Sequence, residues 1–228
     1  MEETNAIISP EFETFMKVIR GRRSIRKYKD QPIPREAIAA ILDAARLAPT
    51  GENYQPWEFI VITDKKLITE IGLIGAQASG RRFLQEFLRG DLEKRFAAVP
   101  PEKREKIIKK LIEGRVSGFV ATAPVVIAVC SVGFAGVDNG PDCAAATENL
   151  LLAAHALGLG ACWVIGPTKD ARDLRKVKAL LGVPNQVHVP YVLSVGFPDE
   201  SPNPRPRKPV SEIVYYNTYG NQEVNANV

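Results

Sequence analysis

Between Cys143 and Leu157 the chain has almost no polar face: Ala144, Ala145, Ala146, Leu150, Leu151, Leu152, Ala153, Ala154, Ala156 and Leu157 surround a helix on nearly every side. A helix apolar all round must be buried all round. In a chain of 228 residues that leaves a deep core or a subunit interface. The small alanines, which let helices approach closely, favour the interface. Gly158-Leu159-Gly160 stops the helix and turns the chain into a short strand at Ala161 to Ile165.

Three further runs are β-branched and nearly continuous in apolar residues: Glu58 to Thr63, Val125 to Cys130 and Val189 to Val195. Strands of that kind are covered on both faces, so helices must flank the sheet. Phe12, Phe15, Met16 and Ile19 recur at helical spacing before Gly21. A second helix opens at Pro34 as its first residue, carries Ile38, Ile41, Leu42, Ala45 and Leu47 on one face, and ends at Pro49. With 45% hydrophobic residues the chain can bury one substantial core, which predicts a single domain over residues 1–228. Its charged helical stretch at about 72–120 reads as an insertion laid over the surface, able to form a lid, and the Pro-rich segment from about Phe197 as an extended arm.

Two basic clusters stand out within this folded pattern: Arg22-Arg23-Ser24-Ile25-Arg26-Lys27-Tyr28 and Arg205-Pro206-Arg207-Lys208-Pro209. A guanidinium offers paired N–H donors that match phosphate oxygens, so arginines from both clusters plus the Ser24 hydroxyl could satisfy a phosphate monoester. A solvated basic face is the plain alternative. A nucleic-acid patch is a third, but aromatic-basic interleaving, a zinc pattern and a recognition-helix signature are all missing. The overall charge of +4 is modest and gives no general pull on nucleic acid.

Cys130, Cys143 and Cys162 lie in or beside apolar segments without metal-type spacing, and their odd number argues against a disulfide framework. No metal site is expected. The opening residues, Met1 to Phe15, are acidic and show no export signal, and no stretch approaches the roughly 18 apolar residues of a membrane span. A cytoplasmic protein without membrane or nucleic-acid partners is the expectation.

Taken in order, four landmarks resemble the FMN-dependent nitroreductase family: the Arg22–Tyr28 cluster, Ala48 to Ile62 after the second helix, Ala144 to Gly166, and Pro204 to Pro209. They span most of the chain, though residues 72–120 carry little of the likeness. The resemblance implies an α+β fold with a mainly antiparallel central sheet flanked by helices. It also implies an intertwined homodimer with bound FMN at the interface and NAD(P)H as electron donor. Position by position, Arg22, Arg23, Ser24 and Arg26 resemble the first flavin-binding motif, and Arg205 and Arg207 the late phosphate-binding pair. Pro49, Thr50, Gly51, Asn53 and Gln55 match the loop that reaches the flavin from the other subunit. Trp163, Val164, Ile165 and Gly166 match the strand end that passes the reactive ring face. Gln77 is a candidate for an amide contact to the ring, and Arg26 for positive charge at its N1 and O2 edge.

The chain departs from the family pattern in two places. Thr50-Gly51 replaces a serine pair, and Ile165 stands where some members place a glutamate, so contact there must come from backbone N–H. No catalytic side chain is assigned, because the flavin N5 does the chemistry and the protein binds, orients and tunes it. His155 and His188 are read as structural, and the cysteines as inert. The implied activity is ping-pong electron transfer from NAD(P)H to a small-molecule acceptor, with nitroaromatics and quinones as natural choices. A dehalogenase, an enoate reductase, or a flavin-binding sensor or carrier without turnover are the alternatives.

Overall fold

A computed structural model describes residues 9–133 and 139–222; the acidic opening, residues 1–8, therefore lies outside the described residues. Its centre is a four-stranded sheet of β1 (Trp57–Ile62), β2 (Val125–Ser131), β3 (Gly160–Val164) and β4 (His188–Gly196), in the order β1-β2-β4-β3. Every neighbouring pair is antiparallel, with Val61 opposite Ile127, Ile127 opposite Leu193 and Trp163 opposite Leu193.

Alternation along β2 divides the core into two layers. Ile127 and Val129 join a cluster with Ile41, Ala45, Leu150 and Leu193, while Val126, Ala128 and Cys130 join another with Ile68, Ile71, Val120 and Val192. Helices α1 (Pro10–Gly21) and α2 (Arg35–Arg46) precede the sheet, and α2 packs on the first face. Pro34 caps α2 instead of opening it, and Leu47, expected on the buried face, is the residue after the last turn and is 65% exposed.

After β1 comes α3 (Lys65–Leu88), whose first amides donate to the Asp64 carboxylate. It is one unbroken helix across residue 72, so the charged stretch does not start as a separate piece there. Short helices follow: α4 (Asp91–Arg95), α5 (Pro101–Ile112) and α6 (Arg115–Gly118). Phe83, Leu92 and Ile108 pack together among them, giving this region a small core of its own where a surface layer was expected.

The apolar helix is α7 (Gly140–Ala156). Cys143, Ala146, Thr147, Leu150, Leu151 and Ala154 are buried, but Ala144, Ala145, Leu152 and Ala153 are only half covered. Full burial, predicted from composition, is thus not reached within one chain. The chain completes its path through α8 (Gly166–Lys169), α9 (Ala171–Leu181), β4 and an extended arm.

Candidate functional site

Strand β3 ends the sheet, and its free edge is where the early arginine cluster runs. Ser24 bridges Ala161 in parallel, the Ile25 N–H donates to the Ala161 carbonyl at 3.1 Å, and Ile25 is buried. A Cβ on Gly160 would lie 2.7 Å from Ile25, so only glycine admits this close approach. The next residues pair with the start of the arm. Tyr28 bridges Pro198, Lys29 N–H donates to the Phe197 carbonyl at 2.9 Å, and Asp199 N–H donates to the Lys27 carbonyl at 3.0 Å.

Two consecutive amides, of Arg26 and Lys27, donate to the same Glu200 carboxylate oxygen at 2.5 and 3.2 Å. The Tyr28 hydroxyl closes the corner, 2.5 Å from the Ile25 carbonyl and 2.7 Å from Ser194 Oγ. Burial raises its pKa far above the ordinary tyrosine value, so the phenol stays a donor.

The side chains of the cluster face different partners. Arg22 pairs loosely with Glu148 at 3.3 Å, and Arg23 donates to the carbonyls of Arg20 and Arg22, each at 2.7 Å. Arg26 has no acidic side chain against its guanidinium among the described residues and lies 5.8 Å from the Phe119 ring centre. Burial raises the Cys162 thiol, with Arg26 opposing it, so Cys162 is a poor nucleophile.

Where β3 ends, a cavity of about 650 Å³ opens. Its lining includes Arg26, the run Trp163, Val164, Ile165 and Gly166, and Ser79, Arg81, Ser117 and Phe119. Ile165 caps the short α8 and is 44% exposed. Gly166 packs closely here: a Cβ would come within 2.9 Å of Ser117 Oγ, which would have to turn away. The Thr168 hydroxyl donates to the Pro190 carbonyl at 2.7 Å and anchors α8 to the sheet. The Arg26 guanidinium at this cavity donates to the Ser24 carbonyl at 3.3 Å.

The loop after α2 is strained. Glu52, Asn53 and Gln55 all have positive φ, at 49°, 58° and 48°, although none is glycine. The Thr50 hydroxyl accepts from the Gln55 N–H at 3.0 Å, and the Gln55 amide donates to Asn53 Oδ1 at 3.2 Å, which locks the turn. Pro49, Thr50, Gly51, Asn53 and Gln55 do not reach the cavity of their own chain. Arg205 and Arg207 are exposed on the arm, and among the described residues neither is hydrogen-bonded or ion-paired to the early cluster. Gln77 is exposed on α3 outside the cavity lining, although its neighbours Ala78 and Ser79 are part of it.

The sequence profile of the nitroreductase family matches residues 19–197. The chain belongs to that family. An iodotyrosine deiodinase of Thermotoga neapolitana is 31% identical over 204 residues, covering 87% of this chain and 95% of its own. An NADPH-flavin oxidoreductase of Vibrio harveyi is 26% identical over 212 residues, covering 92% and 75%. Among solved structures, an oxidised iodotyrosine deiodinase bound to FMN and 3-iodo-L-tyrosine superposes with a TM-score of 0.70 at 27% identity, over 90% of this chain and all of that one. This family member is accordingly an oxidoreductase with the nitroreductase fold.

Ser79, Arg81, Ser117, Phe119, Lys169 and Asp173 also line the cavity and were not singled out from the sequence. Arg81 is hydrogen-bonded to the fully buried Asp173, 92 residues away. Asp173 falls in the first turn of an otherwise basic helix, and that pattern alone reads as a capping preference. Among the described residues no group of His, Cys, Asp and Glu is placed to hold a metal ion, and no helix is long and apolar enough to cross a membrane.

Proposed function

We propose that the protein binds FMN and works as a homodimer, taking electrons from NAD(P)H and passing them to a small aromatic acceptor of the nitroaromatic or quinone type. The observation that carries this reading is the backbone pairing of residues 27–29 with 197–199. With Ser24 and Ile25 bound to Ala161 at the edge of β3, it starts the arm beside the early cluster, and Asp199 is six residues before Arg205.

Arg22, Arg23 and Ser24, with Arg205 and Arg207 swung in on the arm, would hold the phosphate. Arg26 would place positive charge at the pyrimidine edge of the ring, and Trp163 to Gly166 would supply its backbone floor. The strained Thr50 to Gln55 loop, which misses the cavity of its own chain, would reach that of a partner. The flavin supplies reversible two-electron chemistry when bound. The residues around it exclude water and orient the ligands. One cavity must admit donor and acceptor in turn, which demands ping-pong kinetics. A second reading, reductive dehalogenation, draws on the likeness to the deiodinases.

The test is an anaerobic titration of the purified yellow protein with NADH and with NADPH, followed by nitroaromatic, quinone and iodotyrosine acceptors. Bleaching by a nicotinamide and parallel double-reciprocal lines are expected. A yellow protein that neither donor bleaches would be a carrier or sensor.

A further inference from the structure

The cavity beside Ile165 and Gly166 is strongly cationic beyond what a flavin ring requires. Arg26, Arg81, Arg82, Arg95, Lys169 and Arg172 line it, against the two carboxylates of Asp170 and Asp173. Most of these cations are spoken for. Arg81 is clamped to Asp173, Arg172 lies 3.6 Å from Asp170, and Arg82 and Arg95 share Glu86 at 2.8 and 4.0 Å. Arg26 and Lys169 have no acidic partner among the described residues.

Lys169 is placed by a rigid element. It is the last residue of α8, which starts at Gly166; its own N–H donates to the Ile165 carbonyl at 2.9 Å, and Thr168 pins the turn to β4. Arg81 is held as well. Asp173 is fully buried and its Oδ2 binds the Arg81 guanidinium, while its Oδ1 has no hydrogen-bond partner and lies 4.0 Å from Lys176 Nζ. Phe83, Val116 and Phe119 make the remaining wall apolar and lower the local dielectric. Arg26 and Lys169, two lining cations without an ion-pair partner among the described residues, add positive potential to the cavity.

We infer that this cavity selects a ligand carrying an anionic group, a carboxylate or a phosphate, and that Lys169 is a specificity-determining residue for it. The inference rests on the flavin reading above for what lies next to the anion, but the anion site itself is built by this chain alone. A neutral ligand would leave Lys169 with water as its only partner. An anionic aromatic ligand would place its charge against Lys169 and its ring near Phe119 and Ile165.

Two sources could bring the anion, an acceptor with a carboxylate or the 2′-phosphate of NADPH. Isothermal titration of the oxidised protein separates them and needs no turnover. One arm compares 4-nitrobenzoate with methyl 4-nitrobenzoate, and the other compares NADP⁺ with NAD⁺, in the wild type, Lys169→Gln and the control Lys103→Gln. Lys169 is exposed, so its replacement leaves the core intact. Lys103, on α5, makes the same charge change outside the cavity.

The wild type is expected to prefer the charged member of at least one pair. Lys169→Gln should cut that preference about tenfold, the scale of one charge-assisted hydrogen bond, and Lys103→Gln should not. Loss in the first arm assigns the anion to the acceptor, and loss in the second to the donor. Wild-type preferences in both arms of Lys169→Gln overturn the inference. The colour of the protein and its bleaching by a nicotinamide report on the flavin reading separately, so a colourless protein that still prefers the anion sinks only that reading.

Discussion

His155 shows how one side chain ties the cluster to stability. It lies at the end of α7 against Gly21, where an added Cβ would meet its Nε2 at 2.5 Å, and beside Arg22 and Arg23. Burial first, and then the two guanidinium charges, hold its pKa below the ordinary histidine value. Below that ordinary value the unfolded chain therefore binds the proton more readily than the folded one. The resulting stability is present above about pH 6.5 and declines as the pH falls through the folded pKa. Urea unfolding between about pH 5 and pH 7.5 should show a midpoint that falls on acidification, and His155→Gln should flatten that slope. A phosphate on Arg22 would cancel part of the repulsion and raise the His155 pKa, so FMN should flatten it too. Arg22 can make that exchange, since its 3.3 Å contact with the half-exposed Glu148 is loose.

At the scale of elements, what was legible in the sequence was whatever depends on local pattern. The strands announced themselves because residues such as Val126 and Ile127 face opposite covered layers, leaving β2 apolar from Val125 to Cys130. The segment Trp163 to Gly166 and Arg26 did converge on one cavity. The pairing of Arg81 with Asp173 was not legible, because α3 and α9 meet through contacts far apart in the chain, which no local period encodes. The glycines of α3 were silent for a related reason, since in a helix they read only as poor propensity. The structure gives them a role: Gly72 lies where a Cβ would be 2.6 Å from both the backbone nitrogen and the Cβ of Ala121. Propensity alone favours Gly72→Ala by about 1 kcal/mol, but a backbone clash cannot be relieved by a rotamer change, and overpacking costs about 1–3 kcal/mol. The sign therefore reverses. Gly72→Ala should lower the thermal midpoint, and a raised midpoint would show that the turn bearing Ala121 yields.

The molecule as a whole has an apolar surface that a single chain does not cover. Helix α1 buries none of its residues, and Phe12, Phe15 and Ile19 are 44%, 54% and 39% exposed along one face. The outer side of α7 is half covered, and Leu47, Tyr54, Val210 and Ile213 are exposed as well. Singly exposed apolar residues are ordinary, but a whole exposed helix face marks a contact surface. The strained Thr50 to Gln55 loop adds a second reason, because its conformation is costly and it lines no part of the cavity of its own chain. One symmetric association would answer both, covering α1 and α7 while carrying each loop to the other chain's cavity. Light scattering should then give about twice the 25.0 kDa chain mass. Phe15→Glu, which places a charge in the middle of the α1 face, should yield monomers and release the flavin with them, because the cavity would lose the partner's loop. The charge lies on a residue that is already exposed, so the sheet core should survive, and far-ultraviolet circular dichroism checks that it does. A Phe15→Glu monomer that keeps its full complement of FMN would mean that each chain builds its site alone.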